Sequence, residues 1–292
     1  MTGPLRPPLT DYLTLRRALG FKLARHEKLL DQFLTHLEST GITVVTVTAA
    51  VDWALLPAGG DGYWQGYRLS VVRGFAKYLQ TLDPGHEVPP CDLLPQRPHR
   101  AVPYLYSDTE VAALIAAAAS LGTALRRATF ATLIGLLRVT GMRVGEAIAL
   151  DDTDLDLAQG RLLIRHGKFD KTRELWLHPS TVAALQNYQR RRDDLISQPR
   201  CEAFFVSSTG TRLLYCSAHR TFHQLVDRCG LTPRSPRCRP RLHDLRHTFV
   251  VNSMQQAYAD GQDGQTRLTL LSTWLGHVHP NSTYWYLSAS PE

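Results

Sequence analysis

Two histidines and two tyrosines crowd the segment WLGHVHPNSTYWYL, residues 274–287. A histidine and a tyrosine that share one site can move a proton and attack an electrophile. Leu275 and Gly276 are typical of a helix end, which places His277 at a turn. Successive helix residues turn by about 100°, so Tyr284 and Tyr286 lie about 200° apart and only one of them can face the site of His277. This local geometry does not choose between the two tyrosines.

The segment LHDLRH adds polar residues that could act on a phosphate. His243 and Arg246 are three residues apart and share a helix face, and His247 follows four residues after His243. Imidazole and guanidinium groups both donate hydrogen bonds to phosphate oxygens. A buried structural role is equally compatible with one of the three residues.

Two further basic residues lie at predicted turns. Arg143, in TGMRVGEAIAL, follows Gly141 and precedes an apolar helix, whose first N–H groups favour an anion. Lys168, in HGKFDKTRE, lies at the turn of a predicted β-hairpin. Either residue taken alone is typical of a solvent-exposed side chain. A functional role for them is indicated only in combination with the other polar motifs.

The sequence predicts mainly helices, arranged in two domains, and the candidate residues all lie in the second domain. Between residues 8 and 82, apolar residues recur at three- and four-residue steps, which predicts three helices: LTDYLTLRRALGFKLARHEKLLDQFLTHLEST, TVTAAVDWALL and GYWQGYRLSVVRGFAKYLQTL. Six prolines between Asp83 and Pro103 then predict an extended connection. We place a helical domain at residues 1–95, a proline-rich linker at 96–103 and a second domain at 104–292.

The second domain reads as mostly helical with one small sheet. Ser107 and Glu110 have the spacing of a capping box, and Gly141 ends the next helix, LRRATFATLIGLLRVT. GRLLIRHGKFDKTRELWLHP alternates apolar and polar residues around a polar turn, which is typical of a β-hairpin. Four later segments return to a helical period: STVAALQNYQRRRDDLI, SAHRTFHQLVDRCG, LHDLRHTFVVNSMQQAY and TLLSTWLGH. The predicted fold class is mainly α with a small β-sheet (α+β).

The composition limits the classes of partner. The 292 residues carry a net charge of +7, and six arginines face one aspartate between Arg228 and His247, which favours phosphate as a ligand over a merely solvated loop. Five irregularly spaced cysteines predict reduced thiols, and no zinc-site spacing occurs. No apolar run is long enough to span a membrane, and the N-terminus has no signal-peptide pattern, so we expect a cytoplasmic location.

These motifs, in this order, resemble the tyrosine recombinase (phage integrase) family. The likeness rests on TGMRVGEAIAL, GKFDKTR, HDLRHTF, LGH and a tyrosine nine residues after that last histidine. The helical first domain and the linker are similar to the family's core-binding domain and interdomain connector. The resemblance implies six catalytic residues, with Tyr286 as the nucleophile: Arg143, Lys168, His243, Arg246, His277 and Tyr286. Tyr284 falls on a variable position of the pattern, and Lys171 competes with Lys168 for the lysine of the hairpin.

The implied reaction is attack of a tyrosine oxygen on a DNA phosphodiester, which forms a 3′-phosphotyrosyl link and releases a 5′-hydroxyl. A tyrosine in water has a pKa of about 10, so a base must take its proton, and His243 is the candidate. The resemblance gives Lys168 the role of acid for the leaving oxygen. Arg143, Arg246 and His277 would stabilise the negative charge of the transition state. We expect no metal and no nucleotide cofactor, because arginines neutralise the charge and the covalent link stores the bond energy.

The resemblance implies a site-specific recombinase or integrase, with a mobile-element transposase as one form of it. The expected partner is a double-stranded DNA recombination site, on which the protein would form a homo-tetramer. A monomer in solution is compatible with this expectation. No membrane partner is expected. A type IB-like topoisomerase is the nearest alternative, and site-independent relaxation of plasmids would favour it. A non-catalytic DNA-binding relative is the second alternative, which the complete set of six polar residues disfavours.

Overall fold

The computed structural model describes residues 3–56, 62–95, 101–165, 172–196 and 200–277, together with positions 283, 284 and 286. The chain divides into two compact units, Met1–Arg100 and Ala101–Glu292. In the described ranges, every helix is too short or too polar to cross a lipid bilayer.

The first unit contains four helices in its described residues, where the sequence predicts three. The long first prediction is split at residues 19–23, because Gly20 adopts a φ of +87° and Leu23 a φ of 46°, which a helix cannot continue through. The other two predictions are confirmed. The helices are α1 (Arg6–Ala18), α2 (Ala24–Ser39), α3 (Val47–Leu55) and α4 (Gly62–Leu82).

Aromatic and aliphatic side chains of all four helices form the core of this unit, with Phe33, Trp53 and Phe75 at most 2% exposed. The start of the proline-containing segment after α4 packs on the same unit. The amide of Val45 donates to Nδ1 of His86 at 3.0 Å, and the amide of residue 87 donates to the carbonyl of Val45 at 2.8 Å. This part of the predicted connection is therefore held by hydrogen bonds.

The second unit is mainly helical with one small antiparallel sheet, and the predicted fold class is confirmed. Its helices are α5 (Asp108–Ala117), α6 (Ala124–Thr140), α7 (Val144–Ala149), α8 (Pro179–Leu195), α9 (Tyr215–Arg228), α10 (Asp244–Ala259) and α11 (Gly264–Leu275). Two 3₁₀ turns, Ala118–Ser120 and Asp152–Asp154, follow α5 and α7. The strands, in the order β1-β2-β3, are β1 (Leu155–Asp156), β2 (Arg161–Ile164) and β3 (Arg173–Trp176).

The hairpin prediction is confirmed for its two strands, because β2 pairs with β3 antiparallel, with Leu162 opposite Leu175. Strand β1 was not predicted, since two residues are too few to show an alternating pattern. The turn that carries Lys168 and Lys171 lies outside the described residues, so the predicted positions of both lysines stay predictions.

The local signals at the helix ends are also confirmed. The side chain of Ser107 accepts from the amide of Glu110, and Oε2 of Glu110 accepts from the amide of Ser107, as a capping box requires. Gly141 ends α6 with a φ of +61°, and Gly276 ends α11 with a φ of +67°. A side chain at Gly141 would overlap the ring of Phe249, so this turn needs glycine for space as well as for φ.

Helix α10 is the element that brings the polar residues into the interior. It packs against α6 and α11, and five consecutive residues at its start, 244–248, are all buried. Most of their polar groups have hydrogen-bond partners: the carboxylate of Asp244 accepts twice from Arg241, and the hydroxyl of Thr248 accepts from the amide of Tyr106 at 3.0 Å. Nδ1 of His247 is the exception, with no hydrogen-bond partner among the described residues. A polar helix start can therefore lie in the core and still present Arg246 to its neighbours.

Candidate active site

Arg246 is a buried cation in the first turn of α10, with an exposed fraction of 1%. Its Nη1 donates to the carbonyl of Gly141 at 2.8 Å, and its Nη2 donates to the carbonyl of Leu275 at 3.0 Å. Both carbonyls lie at helix ends, where the last C=O groups have no partner within their own helix. The ends of α6 and α11 therefore fix the guanidinium.

The same guanidinium contacts a tyrosine. Its Nε donates to the hydroxyl oxygen of Tyr286 at 3.0 Å. Burial lowers the pKa of Arg246 relative to an exposed guanidinium, the neighbouring Tyr286 opposes that shift, and Arg143 adds to it. Arg143 is therefore close enough for its charge to act on Arg246.

Arg246 differs from a second buried arginine of this unit in how its charge is balanced. Arg192 is 4% exposed and pairs with the carboxylates of Asp152 and Asp193. In the described part of the chain, every hydrogen-bond partner of Arg246 is uncharged. The carboxylate of Glu146 acts on Arg246 through its charge, but it forms no hydrogen bond with it. A buried cation without a hydrogen-bonded counter-ion is costly and attracts an anion. Arg192 thus has the contacts of a structural residue, and Arg246 those of an anion-binding residue.

The two candidate tyrosines have different surroundings. Tyr286 is 6% exposed and packs with Val250, Met254 and apolar residues of α11. Tyr284 is 42% exposed, and its hydroxyl donates to Oε1 of Gln265 at 3.0 Å. Tyr286 is therefore the tyrosine that lies with Arg246, while Tyr284 lies at the surface.

His277 completes the contacts of Arg246. A guanidinium has only donors, so Nε2 of His277 accepts from Nη2 of Arg246 at 2.9 Å. The hydrogen of the neutral ring then lies on Nδ1, which donates to Oγ1 of Thr283 at 2.7 Å. The hydroxyl of Thr283 is hydrogen-bonded in turn to Ser272. To donate to a phosphate oxygen, as predicted for it, His277 must gain a proton on Nε2.

Arg143 is oriented by an acidic residue. Its backbone amide and its Nη1 donate to the two oxygens of Glu146 at 2.9 and 2.8 Å. Arg173 donates to the same two oxygens at 2.7 and 3.1 Å. Burial alone would raise the pKa of Glu146, but the hydrogen bonds and charges of Arg173 and Arg143 lower it to about 2. Glu146 is therefore a fixed anion between two arginines.

Two imidazoles lie at the start of α10. His243 has a solvent-exposed surface, yet desolvation by the surrounding protein, followed by the charges of Arg246 and Arg143, lowers its pKa to about 4. His247 is 5% exposed, and burial followed by the charge of His243 lowers its pKa to about 3. Both rings are therefore neutral at pH 7. The ring of His247 lies 4.5 Å from that of Tyr286 and 5.4 Å from that of His243, measured between centroids.

The low pKa of His247 predicts a pH dependence of stability. Between pH 6.5 and about 3 the unfolded chain binds a proton at this position that the folded chain does not, so the free energy of unfolding falls as the pH is lowered through that window. Each such proton lowers it by about 1.4 kcal/mol per pH unit. We expect His247→Phe, which keeps a ring against Tyr286, to make the fall shallower in urea unfolding measured from pH 7 to pH 4. An unchanged slope would contradict the shift at His247; the remaining slope belongs in part to His243.

The structure thus brings together five of the six predicted site residues: Arg143, His243, Arg246, His277 and Tyr286. Three residues that contact these side chains are not predicted from the sequence: Glu146, Arg173 and Thr283. The spacing of Glu146, three residues after Arg143 at the start of a predicted helix, is the signal that could have found it. Arg173 and Thr283 carry no such local signal, because their partners lie on other elements.

The chain is similar in sequence to known proteins. The phage integrase family matches residues 105–292. The integrase/recombinase y4rB of Sinorhizobium fredii is 40% identical over 98% of this chain and 93% of its own length. The tyrosine recombinase XerD of Mycobacterium tuberculosis is 27% identical over 94% of this chain and 90% of its own length.

Among solved structures, the fold is similar to that of the Tn1549 transposon integrase in complex with transposon right end DNA. The TM-score is 0.65, and the match covers 96% of this chain and 94% of that one at 17% sequence identity. At that identity the likeness concerns the fold alone. The sequence matches go further, and they show that this chain belongs to the phage integrase family of tyrosine recombinases.

Proposed function

We propose that this protein is a site-specific DNA recombinase that cleaves and rejoins strands through a 3′-phosphotyrosyl link at Tyr286. The observation that carries the proposal is the 3.0 Å hydrogen bond from Nε of the buried Arg246 to the hydroxyl oxygen of Tyr286. This contact between Tyr286 and a cation whose other hydrogen-bond partners are uncharged supports the proposal. The family membership and the DNA complex of the structurally similar transposon integrase support DNA as the substrate.

In the proposed cleavage step the oxygen of Tyr286 attacks the scissile phosphorus. The new O–P bond forms as the bond from phosphorus to the 5′-oxygen breaks. His243, which is neutral at pH 7, takes the phenol proton, and the 5′-oxygen leaves as a hydroxyl with a proton from Lys168. The 5′-hydroxyl of another strand reverses the step, so the number of phosphodiester bonds is conserved.

The basic residues would stabilise the transition state rather than the bound DNA alone. Non-bridging oxygens gain negative charge as the fifth bond to phosphorus forms, and donors aimed at them strengthen as the charge grows. Arg246 is already held in place by the ends of α6 and α11, and Arg143 by Glu146, so little reorganisation remains for the moment of reaction. We propose the same donor role for His277 once Nε2 is protonated.

We also propose that the working form on DNA is a homo-tetramer. Exchange between two duplexes cuts four strands, and each cut uses one Tyr286. Each protomer would thus supply one nucleophile.

A trapping experiment tests the proposed function. The protein is mixed with a pool of nicked duplexes whose sequence is randomised around the nick, so that the short strand released by cleavage diffuses away and the covalent adduct accumulates. We expect adducts that survive denaturation, enriched in one sequence, and unchanged by EDTA, because arginines supply the charge that a metal supplies in other phosphoryl transfers. Adduct levels no higher than those of a Tyr286→Phe control would contradict the function, and loss of adducts in EDTA would contradict the metal-free step.

A further inference from the structure

Arg173 occupies a junction of the second unit. It begins strand β3, the strand that follows the predicted hairpin lysine, and its side chain is 11% exposed. Its Nη1 and Nη2 donate to the two oxygens of Glu146, and its Nε donates to the carbonyl of Trp274 at 2.8 Å. One guanidinium thus joins β3, α7 and the end of α11.

The groups that Arg173 contacts lie next to proposed catalytic residues. Glu146 holds Arg143 through its backbone amide and through its Nη1. The carbonyl of Trp274 lies three residues before His277, in the last turn of α11. A Cβ atom at Gly276, the residue just before His277, would lie 2.9 Å from Nη1 of Arg173. Arg173 therefore lies directly against the turn that presents His277.

We propose that Arg173 is a positioning residue, which sets the relative placement of Arg143 and His277 without touching the DNA. The inference rests on the proposed function, because it assigns the positioning to that reaction. The three N–H directions used by Arg173 point to two oxygens of a carboxylate and to one carbonyl, a geometry that a planar guanidinium satisfies and an ammonium group does not. A lysine at 173 would keep a positive charge beside Glu146 but could not form all three of these hydrogen bonds at once.

The same sheet contains an arginine that serves as a matched control. Arg161, on β2, pairs with Asp156 at 2.8 Å and with Glu174 at 3.4 Å, and its side chain is 40% exposed. Neither of these carboxylates contacts a proposed catalytic residue in the described part of the chain. An exposed ion pair of this kind contributes little to stability. Arg161→Ala therefore removes a cation of the sheet without touching the proposed link.

The test measures single-turnover adduct formation by Arg173→Lys, Arg161→Ala and the wild type on one nicked duplex recovered from the trapping experiment. Because displacement of a reacting group by about 1 Å costs up to about 100-fold, we expect Arg173→Lys to be about 10- to 100-fold slower. The Kd for the duplex should stay near the wild-type value, and Arg161→Ala should react normally. Melting temperatures report whether each variant is folded, and Glu146→Gln, which loosens the same link from the other side, should reproduce the defect.

A second substrate separates positioning from general loss of structure. In it a methyl group replaces one non-bridging oxygen of the scissile phosphate, so less charge develops where Arg143 and His277 would act. If Arg173 acts through these donors, the difference between Arg173→Lys and the wild type should shrink on this substrate.

Three outcomes would contradict either the positioning role of Arg173 or the proposed function. Wild-type rates for Arg173→Lys, or an equal defect on both substrates, would overturn the positioning role and leave the proposed function standing. Failure of the wild type to form any adduct would instead overturn the proposed function itself.

Discussion

Replacement of Tyr286 by phenylalanine is expected to abolish the covalent DNA adduct and to leave DNA binding intact. The change removes one oxygen, the proposed nucleophile, and keeps the ring that packs among Val250, Met254 and α11. The folded protein loses the hydrogen bond from Nε of Arg246, which is worth about 1.5–3 kcal/mol because the donor is charged. The adduct is measured by gel after denaturation, and binding by the mobility of labelled duplex.

Tyr284→Phe is the matched control for this experiment. It removes the same atom from a tyrosine two residues away, whose hydroxyl donates to Gln265 at the surface. We expect it to form adducts at the wild-type rate. Adduct formation by Tyr286→Phe together with its loss in Tyr284→Phe would overturn the assignment of the nucleophile.

The second large effect is expected at Arg246. Arg246→Lys keeps a positive charge but cannot donate at once to the carbonyls of Gly141 and Leu275, to His277 and to Tyr286. Loss of one donor to a transition-state oxyanion typically costs about 100- to 1000-fold in rate, so we expect a decrease of that size in single-turnover cleavage. Because carbonyls left without a donor in the interior also destabilise the fold, cleavage is compared below the melting temperature of the variant.

Arg192→Lys is the control for burial alone. Arg192 is also buried, but it donates to Asp152, Asp193 and the carbonyl of Phe204, none of which lies in the candidate site. We expect a lower melting temperature and an unchanged cleavage rate of the folded protein. If both variants lost cleavage in proportion to their loss of stability, Arg246 would be a structural residue and the proposed mechanism would lose its main cation.

The charge balance of the two arginines explains why their expected effects differ. Arg192 already has its anions within the protein. Arg246 has a phenol, an imidazole and two carbonyls. A phosphate that enters beside Arg246 would therefore supply a hydrogen-bonded anion that the described residues do not provide. The electrostatic cost of the buried guanidinium would then be offset when substrate binds.

Local signals in the sequence determined most of the secondary structure of this protein. The capping box of Ser107 and Glu110, the helix end at Gly141 and the turn at Gly276 depend on residues a few positions apart, so their patterns are legible in the sequence. The apolar pattern did not predict the split between α1 and α2, because the apolar period continues across Gly20, whereas the backbone of Gly20 leaves the helical region. The set of candidate site residues was also visible, since ordered motifs of the family mark them along the chain.

Tertiary structure alone decided which of these residues meet, how they are charged and what holds them. Spacing left Tyr284 and Tyr286 equivalent, and the contact with Arg246, 40 residues earlier in the chain, distinguishes them. The link from Arg173 to Trp274 joins residues 101 positions apart, and Glu146 is 27 positions from Arg173. Hydrogen bonds over such separations form only when packing of helices and strands brings their elements together. Burial in that packing keeps His247 neutral, whereas the hydrogen bonds and charges of Arg173 and Arg143 keep Glu146 ionised against the effect of burial.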